Sequence, residues 1–128
     1  MAIEKAFGAS ELYRIMGPGD VVGHAELQFG DSRIRLADEH PEVGARGPQS
    51  IGGTPITIHL YVEDVDGTVA RAVAAGAKVT RPVADQFYGD RLGVLADPFG
   101  HVWSVATHRE DVSEDEMKRR AAAQQPHP

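Results

Sequence analysis

The sequence contains no cysteine, and this absence excludes disulfide bonds, thiolate nucleophiles and cysteine-based zinc sites. Aromatic residues make up only 6% of the chain, and no apolar run approaches the length needed to cross a bilayer. Basic residues are also few: the chain has 13 Lys and Arg against 19 Asp and Glu, which gives a net charge of −6. This balance disfavours nucleic acid and membranes as partners. Without a signal-peptide pattern at the N-terminus, we expect a cytoplasmic protein.

The 128 residues, 41% of them hydrophobic, are enough for one domain or for two small modules that share a core. Residues 89–104 give the clearest structural signal. Leu92–Ala96 is a short apolar run, Asp97-Pro98-Phe99-Gly100 has turn composition, and apolar residues return at Val102. A helix cannot continue through Pro98 and Gly100 at low cost, so this segment predicts a β-hairpin.

The rest of the second half completes a recognisable order of elements. Residues 56–62 alternate as a strand, with Thr57, His59 and Tyr61 on one face. Asp64 is placed to cap a helix over residues 65–75, and residues 78–83 predict another strand. With the hairpin, the predicted order is β-α-β-β-β.

The first half repeats this order with one element missing. Residues 2–7 predict a helix that ends at Gly8, and strands are predicted at 11–15, 21–29 and 33–38. In the middle strand Ala25, Leu27 and Phe29 share one face, whereas His24, Glu26 and Gln28 share the other. Nothing upstream of the helix supplies a first strand.

These patterns divide the chain into four parts. We assign residues 1–44 to an N-terminal partial βαβββ module, 45–54 to a linker, 55–110 to a C-terminal βαβββ module, and 111–128 to a C-terminal helix and tail. The sequence Ser113-Glu114-Asp115-Glu116 matches a capping box for that helix. The last five residues are predicted to be disordered.

The hairpin motif Asp97-Pro98-Phe99-Gly100-His101, together with residues 59–66, resembles the vicinal oxygen chelate superfamily. This superfamily includes glyoxalases, bleomycin resistance proteins and dioxygenases, and the segments look closest to its PhnB-like branch. The resemblance implies an α+β fold of two βαβββ modules that form a curved mixed sheet around a cleft. In this chain the first module would lack its first strand.

That missing strand has a consequence for assembly. In the fold that the resemblance implies, the first strand of each module pairs beside the fourth. Its loss would expose residues 33–38 as a sheet edge with unpaired backbone groups. We therefore predict a homodimer that covers this edge. The alternative is a solvated edge protected by the charges of Arg33 and Arg35.

The resemblance also implies where a divalent metal would bind. Members of the superfamily hold the metal with His, Glu or Gln residues from the first and last strands of each module. The matching positions here are Thr57, Ser104 and approximately Arg35. Two hydroxyls and a guanidinium are poor ligands, which predicts that this metal site has been lost. A different set, His24, Glu26 and His59, would suit zinc, iron, manganese or nickel if the three side chains converged.

Three functions are therefore considered. The first is a metal-free small-molecule binding protein, which sequesters or carries a metabolite or antibiotic in the cleft between the modules. The second is a metal-dependent lyase, isomerase or dioxygenase, for which the residues identify no catalytic group, and the third is an inactive dimeric scaffold. Arg35 would suit a carboxylate or phosphonate ligand, or it forms an ion pair with Glu26 or Asp38. The candidate ligand-binding residues are Arg35, His24, Glu26, His59, Tyr61, Tyr88 and Ser104.

Overall fold

A computed structural model describes residues 2–124, and the fold is α+β. The helices are α1 (Ala2–Phe7), α2 (Pro48–Ile51), α3 (Val65–Ala74) and α4 (Glu114–Gln124), with a 3-10 turn at Pro41–Val43. The strands are β1 (Ser10–Met16), β2 (Val22–Phe29), β3 (Ser32–Leu36), β4 (Thr57–Tyr61), β5 (Lys78–Asp85), β6 (Asp90–Ala96) and β7 (Val102–His108). Across residues 2–124, no helix is both long and apolar enough to span a membrane.

The strands form two sheets instead of the single curved sheet that was expected. The first half forms a three-stranded antiparallel sheet in the order β1-β2-β3. The second half forms a four-stranded mixed sheet in the order β4-β7-β6-β5, in which β4 and β7 are parallel. In the described part of the chain, no strand pairs with the outer side of β3. This strand is therefore a sheet edge, as predicted.

The predicted hairpin joins β6 to β7, and Asp97 stabilises its turn. One carboxylate oxygen of Asp97 accepts hydrogen bonds from the backbone N–H groups of Phe99 (2.9 Å) and His101 (3.0 Å). The other accepts from the Trp103 indole N–H at 2.9 Å. Gly100 has a φ of +92°, which a residue with a side chain adopts at a cost. The turn therefore requires both the aspartate and the glycine of the motif.

One hydrophobic core joins the apolar faces of the two sheets to the helices α1 and α3. Ala25, Leu27 and Phe29 are buried, as the alternation in β2 predicts. Leu27 and Phe29 belong to the same cluster as Trp103 and Val105 of β7 and the buried apolar residues of α3. Because each sheet contributes its apolar face to this core, the opposite, polar faces of both sheets point away from it.

Helix α3 confirms its predicted cap and most of its predicted buried stripe. The Asp64 side chain accepts a hydrogen bond from the Gly67 N–H at 3.1 Å. Val65, Val69 and Ala72 are buried, but Val73 is 47% exposed. At 100° per residue, Val73 lies at the edge of the stripe, about 80° from Val65. The eight-residue spacing alone therefore overstated its burial.

The C-terminal helix forms as predicted, since the Ser113 hydroxyl accepts a hydrogen bond from the Glu116 N–H at 3.2 Å. Residues 125–128, most of the tail predicted to be disordered, lie outside the described residues, and Gln124 is the last residue of α4. The proposed linker contains α2, which begins at Pro48 and ends before Gly52. The division of the chain into these four parts remains a prediction.

Candidate functional site

The polar face of the four-stranded sheet brings together several of the predicted site residues. In the parallel register of β4 and β7, His59 lies opposite Ser104 and Tyr61 lies opposite Ala106. His59 Nδ1 is 3.0 Å from the Ser104 hydroxyl oxygen. The His59 and Tyr61 rings meet edge to face, with their centroids 4.7 Å apart. This face therefore combines two aromatic walls with a hydroxyl.

On the three-stranded sheet, Glu26 lies between two arginines. Its carboxylate is 3.3 Å from Arg35 Nε and 3.9 Å from Arg33 Nη1. Glu26 is buried, whereas the Arg35 side chain is 72% exposed. Of the two ion pairs considered for Arg35, the structure shows the one with Glu26. Asp38 instead accepts a hydrogen bond from the Val22 N–H at 2.7 Å.

The residues at the implied metal positions do not fit a divalent cation. Ser104 is occupied by its hydrogen bond to His59. Arg35 brings a guanidinium to the position where a ligand oxygen or nitrogen would be needed. Thr57 is exposed at the beginning of β4. The three groups together offer two neutral hydroxyls, which are weak ligands, and one guanidinium, whose positive charge repels a metal ion.

The alternative ligand set is not brought together either. His24 Nε2 is 2.9 Å from the Tyr13 hydroxyl, and the two rings stack with centroids 5.5 Å apart. Glu26 is paired with the arginines of β3, and His59 is paired with Ser104 on the other sheet. Among residues 2–124, no group of three His, Asp or Glu side chains is arranged to hold a metal ion.

A hydrogen-bonded chain at one end of the four-stranded sheet was not predicted. Asp90 is 4% exposed, and one of its oxygens accepts from the Tyr61 hydroxyl at 2.8 Å. Its other oxygen is 3.0 Å from His108 Nδ1. The second ring nitrogen of His108 is 2.7 Å from an Asp111 oxygen. The buried carboxylate therefore links the polar face of the sheet to the segment that leads into α4.

This chain changes the acidity of its members. Hydrogen bonds to Asp90 and then to Asp111 raise the pKa of His108 above its usual value. The hydrogen bond that Tyr61 donates to Asp90 raises the pKa of its phenol. Tyr61 thus remains a neutral phenol near neutral pH, with its proton directed at Asp90.

We expect the contribution of His108 to stability to depend on pH. The pKa of His108 in the folded protein is raised above the value of 6.5 expected in the unfolded chain. Protonated His108 therefore stabilises the fold fully at pH values below 6.5, and this stabilisation is lost as the pH rises through the folded pKa. His108→Gln should therefore lower Tm most near about pH 5.5 and least near about pH 9, where neutral histidine no longer contributes this charge interaction. Thermal unfolding across this range measures the difference. His101→Gln, at an exposed histidine, is the control for the loss of an imidazole. A difference in Tm between His108→Gln and the wild type that stays constant across this pH range would contradict the expectation.

The loop between β5 and β6 is held by the C-terminal segment. The Gly89 carbonyl accepts hydrogen bonds from the N–H groups of Arg109 (2.8 Å) and Glu110 (3.1 Å). The Phe87 carbonyl accepts from Arg120 Nη1 of α4 at 3.0 Å. Tyr88, a predicted ligand-binding residue, is partly buried in this loop, and its burial raises the pKa of its phenol. The C-terminal helix therefore positions the loop that carries Tyr88.

Arg91 fastens the same end of the sheet to α3. Its guanidinium contacts Asp66 at 2.9 Å and Asp85 at 3.2 Å. A depression of about 410 Å³ opens beside it, lined by Asp85, Gln86, Gly89, Asp90, Arg91, Arg109 and Glu110. A second, far smaller cavity of about 10 Å³ lies between α1, α3 and the hairpin. The larger depression shares Asp90 with the Tyr61 chain but none of the predicted ligand-binding residues.

Comparison with known proteins supports the resemblance seen in the motifs. The family model described as the Glyoxalase/Bleomycin resistance protein/Dioxygenase superfamily matches residues 4–105. The chain belongs to this superfamily. It is also 45% identical over 123 residues to the protein Mb0911c of Mycobacterium bovis, covering 94% of this chain and 81% of that protein.

Solved structures share the fold at lower identity. TioX from Micromonospora sp. ML1 is 29% identical with a TM-score of 0.63, over 83% of this chain and 84% of that one. A superfamily enzyme from Burkholderia phytofirmans is 22% identical with a TM-score of 0.63, over 84% of this chain and 85% of that one. The latter likeness shows the shared fold alone.

Proposed function

We propose that this superfamily member, of the PhnB-like type, is a small-molecule binding protein that sequesters or carries an apolar or anionic ligand without a metal at the family positions. The observation that carries the proposal is the chemistry at those positions. Ser104 is bonded to His59, and Arg35 is paired with Glu26, so both side chains suit an organic ligand better than a cation. The ligand would contact the residues predicted from the sequence, namely Arg35, His24, Glu26, His59, Tyr61, Tyr88 and Ser104.

Charge on the three-stranded sheet favours an anionic ligand. Arg33 and Arg35 share the single carboxylate of Glu26, so this face has an excess positive charge in a chain whose net charge is −6. The exposed Arg35 guanidinium can still donate to a carboxylate or phosphonate, because its hydrogen bond to Glu26 uses Nε only.

Benzoate and benzyl alcohol provide a matched pair of probes for this proposal. Both carry a phenyl ring, but only benzoate is charged. In ¹⁵N NMR titrations we expect benzoate to shift amide signals of β2 and β3, and Arg35→Gln to weaken its binding about two- to fivefold, as befits an exposed ion pair. Binding of benzyl alcohol should not change.

Arg46→Gln is the control for this titration, because it removes the same charge from an exposed loop outside both sheets. It should leave benzoate binding within error of the wild type. Equal weakening by Arg46→Gln and Arg35→Gln would indicate a general effect of net charge and would contradict a site at Arg35. The absence of any shift with either probe would favour the inactive scaffold.

A metal-dependent lyase, isomerase or dioxygenase is the second candidate. It is favoured by a relative that this chain matches over part of its length. The Putative glyoxylase CFP32 of Mycobacterium bovis is 41% identical over 82 residues, which cover 62% of this chain and 31% of that protein. For this candidate His24, Glu26 and His59 would have to leave their present partners and converge on zinc, iron, manganese or nickel. Stoichiometric metal that is lost in His59→Ala would establish it.

We further propose that the protein is a cytoplasmic homodimer in which the partner covers the outer edge of β3. Support comes from the edge itself, since no strand within residues 2–124 pairs with the outer side of β3. Size-exclusion chromatography with light scattering should give the mass of two chains at micromolar concentration. A single-chain mass there would contradict the dimer.

A further inference from the structure

The Tyr61 side chain crosses the neighbouring strand to reach Asp90. Tyr61 belongs to β4 and Asp90 to β6, and β7 lies between them. Two strand spacings amount to about 10 Å, yet the Tyr61 oxygen and the carboxylate are 2.8 Å apart. The phenol ring therefore extends over β7, where its register partner is the small residue Ala106. This accounts for Ala106 being fully buried although it lies on the polar face.

Asp90 determines which way the Tyr61 hydroxyl points. The carboxylate has no proton to donate when ionised, so the hydroxyl must be the donor in this contact. Both oxygens of Asp90 are already engaged, one with Tyr61 and one with His108. The phenol oxygen is left with lone pairs only, and any polar group that approaches it on this face meets a hydrogen-bond acceptor.

We propose that Asp90 is a positioning residue that holds Tyr61 as a hydrogen-bond acceptor, so that this face selects planar ligands bearing an N–H or O–H group. The proposal rests on the small-molecule binding function and names the class of ligand. The setting suits a planar molecule, because the His59 ring meets the Tyr61 ring at 87° and so provides a second apolar wall. A ligand that offers only an acceptor would leave two oxygens facing each other.

Indole and benzofuran test this selectivity, because they have nearly the same shape and differ in having an N–H or a ring oxygen. Each is titrated into ¹⁵N-labelled protein while the amide signals of His59, Tyr61, Ser104 and Ala106 are followed. The wild type should bind indole roughly fivefold more tightly than benzofuran, as expected for one net hydrogen bond. Tyr61→Phe keeps the ring but removes the acceptor, so its indole affinity should fall to that of benzofuran.

Two further variants separate positioning from general structural effects. Tyr13→Phe removes a phenol hydroxyl from the other sheet, where it bonds His24, and should keep the wild-type ratio. Asp90→Ala frees the Tyr61 hydroxyl to donate, so the preference should shift towards benzofuran. If Asp90→Ala fails to fold by circular dichroism, the comparison of Tyr61→Phe with Tyr13→Phe decides alone.

The outcomes that overturn the proposal are distinct. Equal affinities in the wild type, or a preference for indole that survives in Tyr61→Phe, would overturn the acceptor role and leave the proposed binding function intact. If neither probe shifts the four amide signals while benzoate also fails to bind, both proposals are overturned together.

Discussion

Trp103→Ala should lower the free energy of unfolding by about 3–5 kcal/mol, which is a large part of the stability of a typical domain. Trp103 is 2% exposed in the shared core. Its ring centroid lies 4.6 Å from that of Phe7 in α1 and 6.2 Å from that of Phe29 in β2. The indole N–H also donates to Asp97 in the hairpin turn. The substitution therefore removes contacts that join both sheets, a helix and the turn.

Urea denaturation measures this loss, with Trp103→Phe as the matched variant. Phenylalanine keeps much of the apolar contact but leaves one Asp97 oxygen without its donor, so we expect a smaller loss of about 1–3 kcal/mol. The account is contradicted if Trp103→Ala costs less than about 1 kcal/mol, since a surface substitution has that magnitude.

Gly89→Ala is expected to destabilise the protein by at least about 2 kcal/mol and to release the C-terminal segment. Gly89 has a φ of +98°, a region that alanine adopts with strain. A Cβ at this position would collide with the backbone oxygen of Glu110 and lie 3.0 Å from Val112 Cγ2. The segment after β7 would have to move away, and its two hydrogen bonds to the Gly89 carbonyl would break.

Hydrogen exchange at the Arg109 and Glu110 amides tests this release directly, because both groups donate to Gly89. Gly44→Ala is the control, since Gly44 also has a positive φ, +82°, but no atom lies within 4 Å of a Cβ built there. It should show strain without faster exchange at residues 109 and 110. Unchanged exchange at these amides in Gly89→Ala would contradict the proposed contact.

Elements set by short-range patterns were predictable from the sequence. The turn at residues 97–100 follows from Pro98 and Gly100. The cap of α3 follows from Asp64, a residue type favoured at the N-cap, directly before the first helical residue. The buried face of β2 follows from strict alternation. In each case the signal and the structure lie within a few residues of each other, so no knowledge of tertiary contacts is needed.

The candidate site was predicted only in part, because its contacts depend on strand register. Each sheet does hold the residues that alternation assigned to its polar face, but His59 meets Ser104 only through the parallel pairing of β4 with β7. Asp90 and His108 are 18 residues apart and become neighbours through the β6–β7 register. Composition near Asp90 gives no sign of this, since the carboxylate looks like an ordinary loop residue. The ion pair of Arg35 with Glu26 could be predicted from the sequence, because the two residues lie on adjacent strands of a short hairpin.

Native mass spectrometry of the protein as purified tests the central claim most directly, because it reads subunit number and bound metal together. We predict the mass of two chains with no divalent metal, and no change in that composition for His59→Ala. One metal mass per chain that disappears in His59→Ala would contradict the metal-free binding function and establish a metal centre at that histidine.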